Sequence, residues 1–238
     1  METAIDINQN YTKYYDKGSY LRVYPTEFVM RAFLQTKLPR LHFERPKAGE
    51  TVLEIGFGDG RNTVLLLDQG YHVTGVEITK DICDKTEERL HALGHENFDF
   101  KVGRNNSLPF EDNTFGCLLA SHTAYYIDEG SSFDDNMDEY ARVLKKDGYA
   151  VFDILKIAPE IKDDINILNN PIMNSDGTAT VTSDPLGIRN GYRFQVFKST
   201  DELTQRLSKW FYNFSVGTAD NTFFGVSERT FWVVCQKK

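Results

Sequence analysis

The stretch VLEIGFGDGRN, residues 52–62, places Gly56, Gly58 and Gly60 within five positions directly behind an apolar run. Thr51 to Ile55 reads as a buried strand, and the following RNTVLLLDQG (61–70) reads as a helix that stops at Gly70. The glycines therefore form a strand-to-helix turn. Glycine carries no Cβ and accepts positive φ, so backbone there comes close to a ligand, and the N–H groups of the helix start face the open space. Glu54 lies within the strand, where a carboxylate among apolar neighbours is costly unless donors or a cation meet it.

Strands and helices alternate outward from this turn. YHVTGVEI (71–78) reads as a second strand, DICDKTEERLHALG (81–94) as a helix with a glycine stop, FDFKVG (98–103) as a third strand and TFGCLLAS (114–121) as a fourth. SSFDDNMDEYARVLKKDG (131–148) opens on a capping box, Ser132 with Asp135. It carries Met137, Tyr140, Ala141 and Leu144 on one face and is predicted to close on Gly148. YAVFDIL (149–155) is the fifth strand. Helix-length crossovers between strands call for a parallel sheet covered on both faces, with the glycine turn at the carboxyl edge where open α/β sheets bind ligands.

The rhythm changes after residue 155. Residues 156–198 combine a polar, helix-like PEIKDDINILNN (159–170) with an extended, aromatic NGYRFQVF (190–197), and read as an insertion over the sheet edge. STDELTQRLSKW (199–210) opens on a second capping box, Ser199 to Glu202. FYNFSVG (211–217) and ERTFWVVCQK (228–237) read as an antiparallel strand pair joined by a turn-rich TADNTFFGVS.

Composition narrows the function classes. A chain of 238 residues, 40% apolar and 13% aromatic, fits one domain with elaborations. A net charge of −8 and a pI near 5.2 argue against a broad nucleic-acid surface. Cys83, Cys117 and Cys235 are scattered, which suggests reduced thiols in a cytoplasm and no zinc site. The five histidines, spread from His42 to His122, form no ligand spacing with acids or thiols, so no metal is expected. The start, METAIDINQN, lacks the features of an export signal, and no apolar run approaches ~20 residues, so no membrane partner is expected.

Two further features sharpen the glycine signal. Glu77 sits at the end of the second strand, about twenty residues past the first glycine, where an acid accepts both hydroxyls of a ribose. A nicotinamide dinucleotide fits less well, because its fingerprint wants glycine where Arg61 stands. The series E-x-G-x-G-x-G, the acidic second-strand end, LPFEDNTFG (108–116) and the terminal strand pair together resemble the class I S-adenosylmethionine-dependent methyltransferases. That resemblance implies a doubly wound, mostly parallel, seven-stranded α/β sheet with an antiparallel C-terminal pair. It also implies a single unit: an N-terminal lid and helix (1–45), a cofactor-binding core (46–155), the insertion over the substrate site (156–198) and the C-terminal helix and strand pair (199–238).

By the same resemblance Gly56, Gly58 and Gly60 pass beneath the aminoacyl and ribose parts of S-adenosylmethionine, Glu54 helps hold the loop and the amine, and Glu77 with the adjoining Ile78 meets the ribose. The family's G-D-A after the third strand reads Gly103-Arg104-Asn105 here, which leaves Asn105 or backbone to read adenine. Ser121 and His122 match the position that faces the cofactor sulfur.

Methyl transfer needs alignment first, and a base only where the acceptor has a proton to lose. SHTAYY (121–126) supplies His122 as that base, with Tyr125 and Tyr126 beside it. Its bland alternative is a loop histidine. NYTKYYDKGSYLRVYPTEF (10–28) gathers Tyr11, Tyr14, Tyr15, Tyr20 and Tyr24 ahead of a helix, and similar family members fold such a segment over the cofactor as a lid. Tyr15 and Tyr20 are its substrate-facing candidates. Arg189, Tyr192 and Arg193 in GIRNGYRF, and Arg22 in the lid, are candidates to meet an anionic substrate, against the plain alternative of solvated surface arginines. YPTEFVMRAFL, GFGDGRN, DPLGIRNGYRF and VVCQKK are also similar to a bacterial methyltransferase group associated with surface-polysaccharide modification. The expected acceptor is a hydroxyl of a sugar nucleotide or phosphorylated sugar. An amine or carboxylate metabolite, or a non-catalytic cofactor-binding subunit, stands as the alternative.

Overall fold

A computed structural model describes residues 6–16, 24–157, 168, 171–184 and 186–238. Tyr20 and Arg22 lie outside these residues, as does nearly all of PEIKDDINILNN.

The frame is set by five parallel strands: β1 Thr51–Ile55, β2 His72–Glu77, β3 Phe98–Val102, β4 Phe115–Ala120 and, reserving β5 for a short strand below, β6 Leu144–Lys156, in the order β3-β2-β1-β4-β6. At the far side β11 Val226–Lys237 runs antiparallel to β6 and to β10 Phe211–Phe223. This is the mostly parallel, seven-stranded arrangement with an antiparallel C-terminal pair. Alternation along β1 explains the layers: Val52 joins one buried cluster with Val73, Leu66 and Val234, while Leu53 and Ile55 join another with Leu118, Phe152 and Tyr140. Both faces are thus covered.

Helices α3 Arg61–Asp68, α4 Lys80–Ala92 and α5 Phe133–Val143 connect the strands, and α6 Thr200–Leu207 precedes the C-terminal pair. Their starts follow the cap chemistry. Thr79 Oγ1 accepts the Ile82 N–H on α4, and Ser132 and Asp135 form both halves of the capping box on α5. On α6 only half the expected box forms. Ser199 Oγ accepts the Glu202 N–H, while the Glu202 carboxylate reaches back to the Lys198 N–H at 2.8 Å, one residue earlier than the cap.

The predicted end of α5 is displaced. The helix stops at Val143 and β6 begins at Leu144, which takes an extended conformation (φ −76°, ψ 141°). Gly148 serves the sheet: a Cβ there would stand 2.9 Å from the Lys145 carbonyl oxygen and 3.1 Å from that of Gly116. The β4–β6 register jumps at this point, from Phe115 opposite Leu144 to Cys117 opposite Tyr149, and Asp147 takes φ 62°. The glycine marks a bulge rather than a helix stop.

The C-terminal strands are also longer than predicted. TADNTFFGVS is mostly strand, and the reversal is confined to Phe224 and Gly225, with φ 49° and 83°, which is a two-residue hairpin turn. Because β6 pairs with β11 only up to Thr230, the hairpin projects past the sheet.

Residues from the insertion add a patch: β7 Ile172–Met173, β8 Thr178–Thr180 and β9 Arg193–Phe197, with β5 Tyr126–Ile127 from the loop after β4. Beyond the end of β4, β9 takes over as the parallel neighbour of β6 through Val196 and Phe197. It extends the sheet to eleven strands. At the amino end α1 Ile7–Asp16 and α2 Glu27–Leu34 flank the glycine turn. Among the described residues no helix is long and apolar enough to cross a membrane.

Candidate active site

The site is built around the turn after β1. Gly56 (φ 68°) and Gly58 (φ 57°) are both left-handed, and each has its missing Cβ's place taken by a neighbour. A Cβ on Gly56 would meet Thr123 Oγ1 at 2.7 Å, and one on Gly58 would collide with the Tyr15 hydroxyl. A Cβ on Gly60 would stand 2.8 Å from Thr86 Cγ2. The loop is thus pressed on by α1, α4 and the loop after β4. Helix α1 is further tied down by Tyr11, whose hydroxyl bonds that of Tyr126, by the Lys85–Asp16 ion pair, and by Asn10 Nδ2, which donates to the Ile188 carbonyl at 3.2 Å.

Two buried carboxylates adjoin the turn. Glu77 accepts the Gly58 N–H on Oε1 (2.9 Å) and the Ile78 N–H on Oε2 (2.8 Å), and burial still raises its pKa above the ordinary value. Glu54 is pushed up to about 8 by burial, although the Thr63 hydroxyl donates to it at 2.6 Å and Arg61 opposes the shift. Each oxygen of Glu77 holds one backbone donor and keeps a lone pair for another. Glu54 accepts the Thr63 hydroxyl, and its buried charge calls for compensation.

Two cavities meet beside these groups. A small one of about 100 Å³ is walled by Glu77, Ile78, Gly103 and Asn105, and a large one of about 700 Å³ by Ser121, Tyr125, Asp153, Arg189 and the projecting hairpin, among others. Tyr11, Tyr15, Gly56, His122 and Tyr126 line both. Most candidates read from sequence line one or both cavities; Glu54 and Gly60 adjoin the turn but line neither, and Tyr20 is outside the described residues.

His122 is held in an unusual way. Its φ is 57°, a left-handed conformation that costs a side-chain-bearing residue about 1–2 kcal/mol. The buried Asp153 sustains it: Oδ1 accepts the His122 N–H at 2.6 Å, and Oδ2 lies 3.1 Å from Nδ1, too poorly aligned for a hydrogen bond. The His122 side chain is 46% exposed. Ser121 Oγ is 3.3 Å from Thr26 Oγ1, which ties this loop to the start of α2.

Asn105 is engaged on both ends. Its amide donates to the Thr123 carbonyl (2.8 Å) and, at 3.4 Å, to that of Tyr126, and its oxygen accepts the Tyr140 hydroxyl (2.9 Å). It lines the small cavity while bracing the loop after β4. Arg104 bonds Asp128 at 3.0 Å and Asn8 of α1 at 2.6 Å. Burial raises the phenol pKa values of Tyr11, Tyr15, Tyr125 and Tyr126, so all four are neutral donors.

Residues 53–152 match the family model described as a methyltransferase domain. This stretch is a class I S-adenosylmethionine-dependent methyltransferase domain. The chain is 27% identical over 169 residues to an arsenite methyltransferase of Halobacterium salinarum, an alignment covering 68% of this chain and 42% of that protein. It is 31% identical over 102 residues to the uncharacterized methyltransferase YcgJ of Bacillus subtilis, covering 43% and 39%. The match thus spans about two fifths of the curated relatives' length. In structure, an S-adenosylmethionine-dependent methyltransferase from Aquifex aeolicus superposes with a TM-score of 0.57 at 19% identity, over 98% of this chain and all of that one. That likeness concerns the fold.

S-adenosylmethionine is the cofactor that goes with this methyltransferase domain. The buried acids fit it: Glu77 retains acceptor capacity for a diol, and Glu54 is a buried acid to which a cation would restore the charge. Asp153, Thr123 and Asp184 were not singled out from sequence. Asp153 carries the same signal as Glu54, an acid inside an apolar strand, YAVFDIL, and was readable on that ground. Thr123 had no signal, since its role rests on the approach of Gly56.

Proposed function

We propose that this chain is an S-adenosylmethionine-dependent methyltransferase of a small-molecule acceptor, with a hydroxyl of a sugar nucleotide or phosphorylated sugar as the leading class. The observation that carries the reading is the pair of cavities joined at Gly56, His122 and Tyr126, one beside the buried Glu77 and the other large enough for a metabolite. A volume of about 700 Å³ falls in the ordinary range of small-molecule sites, about 300–1,000 Å³, whereas about 100 Å³ falls below it. Tyr15 of α1 rests on the glycine turn and lines both cavities, which supports reading α1 as a cover that lifts as the cofactor seats.

When bound, the cofactor supplies an electrophilic methyl group. The chain's residues hold and align: Glu77 accepts the ribose hydroxyls, Glu54 meets the amino group, and Tyr125 and Tyr126 bound the acceptor. For a hydroxyl acceptor, His122 takes the proton, and the charge of the Asp153 carboxylate, 3.1 Å from Nδ1, stabilises the imidazolium that forms.

The acceptor named for the Halobacterium relative draws less support. Arsenite is thiophilic, whereas Cys83, Cys117 and Cys235 are all buried, burial raises each thiol pKa, and none lines either cavity. The test is incubation with methyl-labelled cofactor and a panel of sugar nucleotides, phosphosugars, amines, carboxylates and arsenite, with products identified by mass. Labelled phosphosugar or sugar nucleotide is expected. Label on amines alone would replace the acceptor class, and no product with normal cofactor binding would favour a non-catalytic subunit.

A further inference from the structure

The loop that carries Arg189 is organised before any ligand arrives. Asp184, whose side chain is fully buried, accepts the backbone N–H of Ile188 (2.9 Å) and of Arg189 (3.0 Å) on Oδ2, and Nη2 of Arg189 (2.8 Å) on Oδ1. Asn190 Oδ1 returns a bond to the Asp184 N–H at 2.7 Å. The backbone bonds hold the loop's shape by themselves. The guanidinium is then placed, mostly buried, in the wall of the large cavity beside Tyr11, Tyr125 and Tyr126, and its Nε–H is buried with no partner.

A guanidinium presents five N–H donors in a rigid fork. Asp184 takes one directly and the neutral Tyr126 hydroxyl engages the guanidinium as well, which leaves further N–H groups for a ligand. Lys156, also in the cavity wall, is occupied by Asp220 at 2.6 Å. A buried donor left unmade is expensive, and a planar fork with spare N–H groups suits the paired oxygens of an oxyanion. Arg193 and Arg229 also leave Nε unpaired, so what marks Arg189 is its burial in the cavity wall together with the Asp184 bonds that fix its orientation.

We propose that Arg189 receives an oxyanion of the acceptor, a carboxylate or a phosphate, in the large cavity, and that it sets acceptor specificity while Asp184 pre-positions it. This rests on the reading of that cavity as the acceptor site.

The test uses the full chain saturated with S-adenosylhomocysteine, as wild type, Arg189→Gln and Arg189→Lys, titrated by calorimetry with inorganic phosphate, acetate and, as a neutral control, glucose. Wild type is expected to bind phosphate or acetate. Arg189→Gln should weaken that binding at least about tenfold, and Arg189→Lys by less, since it keeps the charge and loses the fork. The Arg189 Nε–H resonance, assigned by its loss in Arg189→Lys, should move on addition of the anion and stay put with glucose. Whichever anion binds more tightly names the group. Equal anion affinity in all three proteins, or none in wild type, overturns the proposal. If Arg189→Gln fails to fold, the lysine variant and the resonance decide. Failure of wild type to bind S-adenosylhomocysteine would instead overturn the cofactor reading, and the anion titration of the cofactor-free chain would still decide this one.

Discussion

Gly58 is where α1 and the glycine turn make contact, and replacing it with alanine separates two costs that act in one place. The first is conformational: at φ 57° an alanine pays about 1–2 kcal/mol, whatever surrounds it. The second is steric. The new Cβ would overlap the Tyr15 hydroxyl and stand 3.0 Å from its Cζ, so the ring must withdraw. Withdrawal forfeits the partial burial of one aromatic ring, about 1–2 kcal/mol, and that loss falls on the docking of α1. Protection of the α1 amides against hydrogen exchange should therefore fall about 5–30-fold in Gly58→Ala. It should fall to a similar extent in Tyr15→Ala, and hardly further in the double variant, because the clash has no object once the ring is gone. Global stability by urea unfolding should show the conformational cost in Gly58→Ala and again when the substitution is made in Tyr15→Ala. Additive losses of α1 protection would refute the idea that Tyr15 occupies the glycine's space.

Glu77→Ala should weaken S-adenosylhomocysteine binding by roughly 1.5–3 kcal/mol in calorimetry, since it removes charge-assisted contacts and frees the Gly58 and Ile78 N–H groups; undiminished affinity would remove Glu77 from the cofactor site. Glu54 binds its proton more tightly in the folded chain, near 8 against an ordinary 4.5, so its contribution to cofactor-free stability is full below about pH 4.5 and is lost as pH rises through about 8. Glu54→Gln should flatten that part of the stability–pH curve, and an unchanged slope would contradict the assignment. His122→Ala should cut turnover on a hydroxyl acceptor by about 10²–10⁴ with cofactor affinity kept, and undiminished turnover would leave His122 a loop residue. Asp153→Asn should keep the His122 turn through its amide oxygen yet lower turnover, and equal rates would make Asp153 purely structural. Activity abolished by a chelator and restored by magnesium would contradict the expectation of metal-free transfer, which rests on the lack of ligand spacing among the histidines, cysteines and carboxylates of the sequence.

The parallel half of the sheet was legible because it is written locally. Apolar runs of strand length alternate with capped helices, and Gly56, Gly58 and Gly60 mark the one turn where backbone is laid bare. The misread boundaries share a different cause. Gly148 and Asp147 follow an amphipathic helix and so resemble its stop, but what requires them is the approach of the Lys145 and Gly116 carbonyls across β4 and β6. Asp220 and Asn221 have turn chemistry, yet pairing with Arg229 and Glu228 keeps them in strand and leaves the reversal to Phe224 and Gly225. In both places a long-range pairing outweighs local propensity.

The same distinction explains why the cofactor was easier to read than the acceptor. The turn, Glu54 and Glu77 lie within 24 residues on adjacent strands, so parallel register alone brings them together: Glu54 stands opposite Gly75, two residues before Glu77. The large cavity, the proposed acceptor site, draws its walls from α1, the loop after β4, the end of β6, the Arg189 loop and the projecting hairpin. These segments are brought together only by the takeover of β4's edge by β9 and by the hairpin running past the end of β6. No spacing rule links Arg189 to His122. What links them is Tyr126, whose strand β5 pairs with β9 at Phe194 and whose hydroxyl meets Tyr11, so that one aromatic residue joins α1, β9 and the loop of the proposed base. Specificity in this fold is thus assigned to the parts the sheet does not dictate, and changes in residues 184–193 should alter the acceptor while leaving S-adenosylhomocysteine affinity intact.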